Sequence, residues 1–422
     1  MFKLFLLFLL SNNNFVSSII NSSIINSDIN NNTYDRHNLH NFIFENLISN
    51  SIPTKSNNPI YVNLSIALRA FNNIDQIDGS ITMNIWLRYN WNDHNIRWDS
   101  KKWNNIKVIS LDTNPDRNLY IWTPDIFLYN TAEKPMDQLY YTKANVYNNG
   151  NIFWSRPGLI KSTCTFDMTY FPYDQQTCNI KFGSWAYDSS EIYLGLEEEK
   201  SFDVSNYQVH EEWTLSDYSV KKNIVKYPCC EKLYHDIEFT YKLRRRPGYY
   251  NLNVVVPTFA TSILIIMSLL IPLKSGERIS FAVTILLSII VFLLIVSDNL
   301  PKSNTEPLLS RMIIGLIYYS LVVLIFTIII SFIHNYIDEL KESNIHKSKI
   351  IDFMLSLCYS CEKNKNNSSN NTNLNRNNSY SNAIKIEKCI HIIAYIEKIF
   401  IGIFFISFVI YCSIMFSLIP KY

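Results

Sequence analysis

Two adjacent cysteines, Cys229 and Cys230, stand between Tyr227 and Tyr234 in the stretch KYPCCEKLY. Neighbouring α-carbons across a trans peptide lie about 3.8 Å apart, below the roughly 4.4–6.8 Å of ordinary disulfides. A bond between them closes a strained small ring. A second pair, Cys164 and Cys178, encloses thirteen residues in CTFDMTYFPYDQQTC. Four cysteines allow three connectivities; the local one closes this loop and leaves the vicinal pair to itself. Further along, Glu277, Ser280, Thr284, Leu287, Val291, Leu294 and Asp298 recur at steps of three and four in an apolar stretch. That spacing is one face of a helix, and a carboxylate stands at each end of it. Twenty-one steps of 1.5 Å give about 32 Å, close to the hydrocarbon thickness of a bilayer. Small hydroxyls on such a face also serve helix packing, but carboxylates at both ends do not.

The elements that hold these residues follow from composition and periodicity. The chain has 422 residues, is 48% apolar and carries a formal net charge of +2. Its length suggests two or three domains, and its charge gives no reason to expect nucleic acid as a partner. The first ten residues, MFKLFLLFLL, read as a secretory signal within residues 1–18, cleaved near Val16 to Ser18. A secreted N-terminus permits disulfides and makes Asn21, Asn31 and Asn63 glycosylation candidates, each with Ser or Thr two residues on. Asparagine-rich tracts at 12–32 and 364–378 read as a solvated tail and a disordered insert.

Four uncharged stretches, Tyr249–Leu273, Ile279–Ser297, Met312–Ile333 and Ile399–Pro420, each have about the length of a spanning helix. The Lys-rich link from His334 to Lys398 belongs in the cytoplasm, so both termini are expected outside. Arg244, Arg245 and Arg246 run against that rule, just before the first span. Upstream, Ile81–Trp86, Ile106–Ile109, Asn179–Trp185 and Asp236–Leu243 are short β-branched and aromatic runs separated by turn clusters. They predict a sandwich, preceded by a helix over Asp35–Ser49 with Asp35 as its cap. The fold expected is an extracellular all-β sandwich, an N-terminal helix plus about ten strands, joined to an all-α four-helix transmembrane domain. The domains run 19–246 for the extracellular sandwich and 247–333 for the first three spans. A cytoplasmic, partly disordered loop follows over 334–395, and the fourth span with an extracellular C-terminus over 396–422. The eight histidines are scattered, with no Ser/His/Asp or metal constellation, so no enzyme, metal or cofactor is expected. Cys358 and Cys361 form a CxxC without a second ligand pair, which points to free thiols or lipidation rather than zinc.

The thirteen-residue loop with Phe171-Pro172-Tyr173-Asp174, a secreted β domain and four spans resembles the pentameric Cys-loop ligand-gated ion channels. The vicinal cysteines narrow the resemblance to alpha-type subunits of nicotinic acetylcholine receptors. It implies the pairings Cys164–Cys178 and Cys229–Cys230, and a homo- or hetero-pentamer in which agonist binds between neighbouring outer domains. It also implies an agonist box of Tyr129, Trp185, Tyr227, Cys229, Cys230 and Tyr234, completed by Trp86 from the neighbouring subunit. The ligand it implies is acetylcholine or a related quaternary ammonium, which donates no N–H hydrogen bond and is held by the negative faces of aromatic rings, about 0.5–2 kcal/mol each. In the second span it implies rings of Glu277 and Asp298 that concentrate cations (Na, K and Ca being the candidates). Ser280, Thr284 and Val291 line the pore, and Leu287 forms an apolar constriction. Coupling falls to Pro172, Asp174, Lys181, Asp236 and Arg245. The protein is expected in the plasma membrane, multi-pass and postsynaptic, among membrane lipid. A channel gated by another amine, or a binding subunit that conducts only with partner subunits, remains open.

Several positions depart from the family pattern. Gln76 stands where a glutamate commonly faces the arginine that is Arg245 here. Asp78, on the same strand face, either takes over part of that pairing or is a solvated turn acid before Gly79, in which case Arg245 pairs elsewhere, with Asp174 of the disulfide loop as the candidate. Asn145, Phe153 and Ser155 are unusual at the complementary contact positions. Trp122 is assigned to the core, and Arg278, beside Glu277 on another face, to an interfacial anchor.

Overall fold

The computed structural model describes residues 35–45, 47, 51–53, 58–197, 201–302, 305–343 and 377–420. The signal peptide, Asn21, Asn31, Cys358 and Cys361 lie outside the described residues. The chain divides into two compact units, residues 1–166 with 175–244, and residues 167–174 with 245–422.

The first unit opens with helix α1, residues 35–45, and continues in strands. These are β1 (Ile60–Asp75), β2 (Ser80–Asn92), β3 (Val108–Leu111), β4 (Ile126–Leu128), β5 (Ala144–Tyr147), β6 (Asn151–Thr163), β7 (Gln175–Ser184), β8 (Ile192–Leu196), β9 (Phe202–Asp203), β10 (Trp213–Lys226) and β11 (Leu233–Arg245). One sheet runs β3-β5-β6-β2-β1-β8, with β9 also on β1; the other runs β10-β11-β7-β4. In β6, buried residues alternate with more exposed ones along the strand, as expected for a strand with one face in the core. The middle of β1 is buried continuously over Leu64–Leu68. Phe71 of β1 meets Tyr241 of β11 at 5.3 Å between ring centroids, so the two sheets close on each other. Each fully buried Ile, Leu or Phe of this core contributes about 1.5–3 kcal/mol of transfer free energy. Trp122 is among the core residues, as expected. The strand expected at Ile106 begins at Val108 instead: Ile106 accepts from the Trp98 indole at 2.7 Å and belongs to the preceding turn.

The second unit contains helices α2 (Gly248–Ser268), α3 (Glu277–Asp298), α4 (Leu308–Ser343) and α5 (Asn377–Ser417). All four are long and apolar enough to cross a membrane. Helix α2 carries a π-helical turn at Asn251–Val255, just before Pro257. Proline has no N–H to give the preceding turn. The buried hydroxyls of α2 stay inside the helix: Thr258 donates to the Val254 carbonyl at 2.7 Å and Ser262 to that of Thr258 at 2.6 Å. That satisfies polar groups where no water can. Gly276, at φ 72°, turns the chain into α3 in a conformation glycine adopts without Cβ strain. Helices α4 and α5 run beyond their apolar stretches, so parts of the link read as loop, 334–343 and 377–395, are helical.

Candidate functional site

The aromatic residues expected to form a box come together at the edge of the four-stranded sheet. Tyr129 and Trp185 meet edge-to-face at 6.3 Å between centroids, and Tyr227 and Tyr234 do so at 5.8 Å. The two pairs are neighbours: burial pushes the Tyr129 hydroxyl pKa up, and the nearby phenols of Tyr227 and Tyr234 add to the shift. Trp185 is 63% exposed, which a core tryptophan would not be. Cys229 and Cys230 are bonded to each other, and Cys164 to Cys178.

The position of each ring has a local cause. Asp125, three residues after Trp122 in WTPD, accepts from the Ser184 hydroxyl at 2.5 Å and from the backbone N–H groups of Trp185 at 3.1 Å and Ala186 at 2.7 Å. One carboxylate therefore fixes the turn that presents Trp185. Burial pushes the Asp125 carboxyl pKa up, and those three donors pull it back. Tyr129 donates its hydroxyl to the Ser184 carbonyl at 2.5 Å. Its ring lies against Gly183, where a Cβ would sit 2.4 Å from the phenol oxygen; only glycine leaves that room. The hairpin tip is tied down by Lys232, which pairs with Asp188 at 3.0 Å, and by Ser189, whose N–H donates to the Leu233 carbonyl at 2.8 Å. Behind the box, Lys181 of β7 pairs with Asp236 of β11 at 3.0 Å, and Asn223 of β10 donates to Asp236 at 2.9 Å. The sequence reading named Lys181 and Asp236 but missed Asp125, Gly183 and Asn223. Of these only Asp125, an acid next to a proline in an aromatic stretch, carried a local signal.

Trp86 lies on β2, in the other sheet, opposite Pro157 of β6 and Ala67 of β1. It is not part of the four-ring cluster. Of the unusual complementary positions, Asn145 and Phe153 face each other across β5 and β6, and Ser155 pairs with Arg88 of β2. Asn63 is exposed on β1, and its side chain crowds Gly195.

The second unit holds the other named residues. Arg245 is fully buried and makes two parallel bonds to Asp174, Nε to Oδ1 at 2.7 Å and Nη2 to Oδ2 at 3.1 Å. The Phe171 and Tyr250 rings lie 4.9 and 5.8 Å from its guanidinium carbon. Pro172 lines a small apolar cavity with Val255, Leu309 and Met415. In the first unit, Asp78, the other candidate partner of Arg245, pairs with Lys161 at 2.9 Å. That lysine lies on β6, which pairs with β2 directly after the turn that carries Asp78. On α3, Glu277, Ser280, Thr284, Leu287, Val291, Leu294 and Asp298 are all exposed, while Arg278, Ala282, Ile285, Ile289 and Val296 are buried. Arg278 is buried and pairs with Glu397 of α5. Among the described residues no group of three or more His, Cys, Asp or Glu could hold a metal.

Family models match most of the chain. The neurotransmitter-gated ion-channel ligand binding domain matches residues 36–247, and the neurotransmitter-gated ion-channel transmembrane region matches residues 254–391. The chain is 33% identical over 277 residues to the neuronal acetylcholine receptor subunit alpha-6 of Homo sapiens, covering 65% of this chain and 55% of that one. It is 32% identical over 302 residues to subunit alpha-2 of Gallus gallus, covering 71% and 56%. The chain thus spans about half the length of the curated relatives it matches.

Proposed function

The chain belongs to the neurotransmitter-gated ion-channel family, a family of receptors rather than enzymes, and on that footing we propose that it is a subunit of an acetylcholine-gated, cation-selective channel. The observation that carries this reading is the cluster of Tyr129, Trp185, Tyr227 and Tyr234 beside the bonded Cys229–Cys230 pair. Four rings offer negative faces, and the carboxylates nearby are already engaged: Asp125 by Ser184, Asp236 by Lys181, Asp188 by Lys232. Such a site favours a bulky, weakly hydrated cation over one that needs an anionic ligand. Agonist binds between the box of one subunit and the Trp86 face of the next in a pentamer, homomeric or with related subunits. Lys181, Asp236, Pro172, Asp174 and Arg245 relay capture of the agonist. Asn63 is a glycosylation site, and both termini lie outside.

The exposed stripe on α3 lines the pore in this reading. Repeated around an axis, Glu277 and Asp298 concentrate cations, Ser280, Thr284 and Val291 line the pore, and Leu287 forms a constriction that closes by dewetting. Expressing the full chain in oocytes, alone and with related subunits, and applying acetylcholine tests the reading. Current with a cation-selective reversal potential is expected. Glu277→Ala should lower conductance and weaken cation preference, and an unchanged reversal potential in asymmetric salt removes Glu277 from the filter. Current evoked by another amine but not by acetylcholine would move the ligand and keep the channel.

A further inference from the structure

The two tryptophans of the proposed agonist site are not equally available. Among the described residues, no side-chain cation lies over Trp185, Tyr129, Tyr227 or Tyr234. Trp86 is different. It is 38% exposed, and the guanidinium carbon of Arg69 lies 4.5 Å from its ring centroid. The backbone puts it there. Pairing of β1 with β2 slips between Leu68 and Ala70, so Arg69 is the extra residue of a bulge. A bulge re-aims the side chain it carries. Here it carries Arg69 over a ring on the adjacent strand, close to Ala67, which faces Trp86 across the ladder. The other arginine near this face, Arg88, is neutralised by Asp203 at 3.0 Å. Among the described residues Arg69 has no carboxylate within ion-pair distance, so the Trp86 ring is the partner its charge has.

We propose that Arg69 is a specificity-determining residue that fills the Trp86 ring face with a cation of the chain's own, so that this face receives a quaternary ammonium poorly. The inference rests on the agonist box proposed above. An ammonium approaching Trp86 must displace the guanidinium from the ring or share the ring with a like charge. Either cost falls on the complementary face alone. A second copy of this chain therefore completes the site less well than a subunit whose corresponding tryptophan is uncovered, and this chain serves best through its Trp185 side.

Equilibrium binding of radiolabelled acetylcholine to membranes carrying the full-length chain tests this. Arg69→Gln, which removes the charge, should bind about 3- to 30-fold more tightly than the wild type. Arg69→Lys, which keeps it, should stay within about threefold of the wild type, since an ammonium is also held over a ring face. Competition by 3,3-dimethylbutyl acetate, the uncharged carbon isostere of acetylcholine, should change little between wild type and Arg69→Gln. A general change in site shape would move both ligands. If Arg69→Gln fails to reach the membrane, Arg69→Met carries the same comparison. Equal affinity of the charge-removing variant and wild type, or equal gains for the charged ligand and its isostere, overturns the role of Arg69. Loss of binding in every charge-removing variant overturns it too. Trp185→Ala separates the two readings: acetylcholine binding that survives it overturns the aromatic box instead.

Discussion

Aromatic rings gather at Trp185 in the β unit and around the Arg245 guanidinium in the helical unit. Around Arg245 the cation is the chain's own. Phe171 and Tyr250 wall it in, Asp174 neutralises it through two bonds, and it is shut away from water. Around Trp185 no cation among the described residues sits on the rings, the nearby acids are engaged elsewhere, and the tryptophan is open to solvent. The difference follows from desolvation. A permanent buried charge needs a carboxylate, because rings alone do not repay the loss of its hydration. A visiting cation that arrives and leaves is better served by neutral faces, which attract it without holding a stronger counter-charge. In the proposed function the two sites share residue types and serve opposite lifetimes.

The largest effect should come from breaking the resident site. Asp174→Ala leaves the Arg245 guanidinium buried without its carboxylate. Removing one partner of a buried pair costs about 3–5 kcal/mol. Thermal unfolding of the full chain in detergent should show a marked loss of stability, with surface expression falling in parallel. Asp174→Ala that melts at the wild-type temperature would mean the pair is dispensable, and the contrast between the two sites would lose its closed half.

The visiting site should respond next. Trp185→Ala removes one ring face, and a desolvated cation–π contact of about 2 kcal/mol corresponds to roughly 30-fold in agonist affinity. Its effect on thermal stability should be small, because the side chain is exposed. Progressive fluorination of Trp185 sharpens the test, since it weakens the negative face and keeps the shape. Potency should fall stepwise, and a flat response would move the cation to Tyr227 or Tyr234.

How far each site could be read from the sequence differs for the same reason that their chemistry differs. The open site was legible because its parts sit in short, recognisable stretches: Trp185 in FGSWAYD, Tyr129 in WTPDIFLYN, and the cysteine pair in KYPCCEKLY. The α3 stripe was legible from period alone, and the exposed face carries all seven of its residues. The resident pair was half legible: Asp174 of the disulfide loop stood as the alternative partner of Arg245, but strand alternation also offered Asp78 and could not say that Lys161 would pair with it. The partner of Arg278 was not legible, because Glu397 is far away in sequence and reaches it only once α3 and α5 are packed. Arg69 was missed altogether, because a bulge is a property of strand pairing and leaves no periodic trace.

A smaller effect is expected where the sites' supports rather than the rings are changed. Asp125→Asn keeps the shape of the group that holds the Trp185 turn but replaces one acceptor oxygen with a donor. Asp125 receives three hydrogen bonds, from Ser184, Trp185 and Ala186. Hydrogen bonds to a charged group are worth about 1.5–3 kcal/mol, and an amide retains part of that. Agonist potency should fall by about five- to tenfold, less than for Trp185→Ala, with the ligand's selectivity order unchanged. A loss as large as that of Trp185→Ala would mean the turn collapses without the charge. No loss would mean the turn is held by the hairpin contacts of Lys232 instead.

The smallest effect is expected at Asp78, and it bears on what the resident cation requires. Asp78 is an exposed acid whose pKa is lowered by its hydrogen bond to Lys161, then by Ser80. An exposed pair of this kind is screened by water and salt and contributes little. Asp78→Asn should therefore leave agonist gating and thermal stability close to the wild type. Arg245→Gln should impair both, since it leaves the Asp174 carboxylate buried without its guanidinium. Combined, the two substitutions should be additive, because Asp78 is engaged by Lys161 and Arg245 by Asp174, and separately engaged residues show little coupling. A double-mutant cycle read on gating measures this directly. Additivity supports a resident cation neutralised within its own unit by Asp174. Clear non-additivity would mean that Asp78 senses Arg245 in the working channel, and the closed site would then extend to an acid of the early strands.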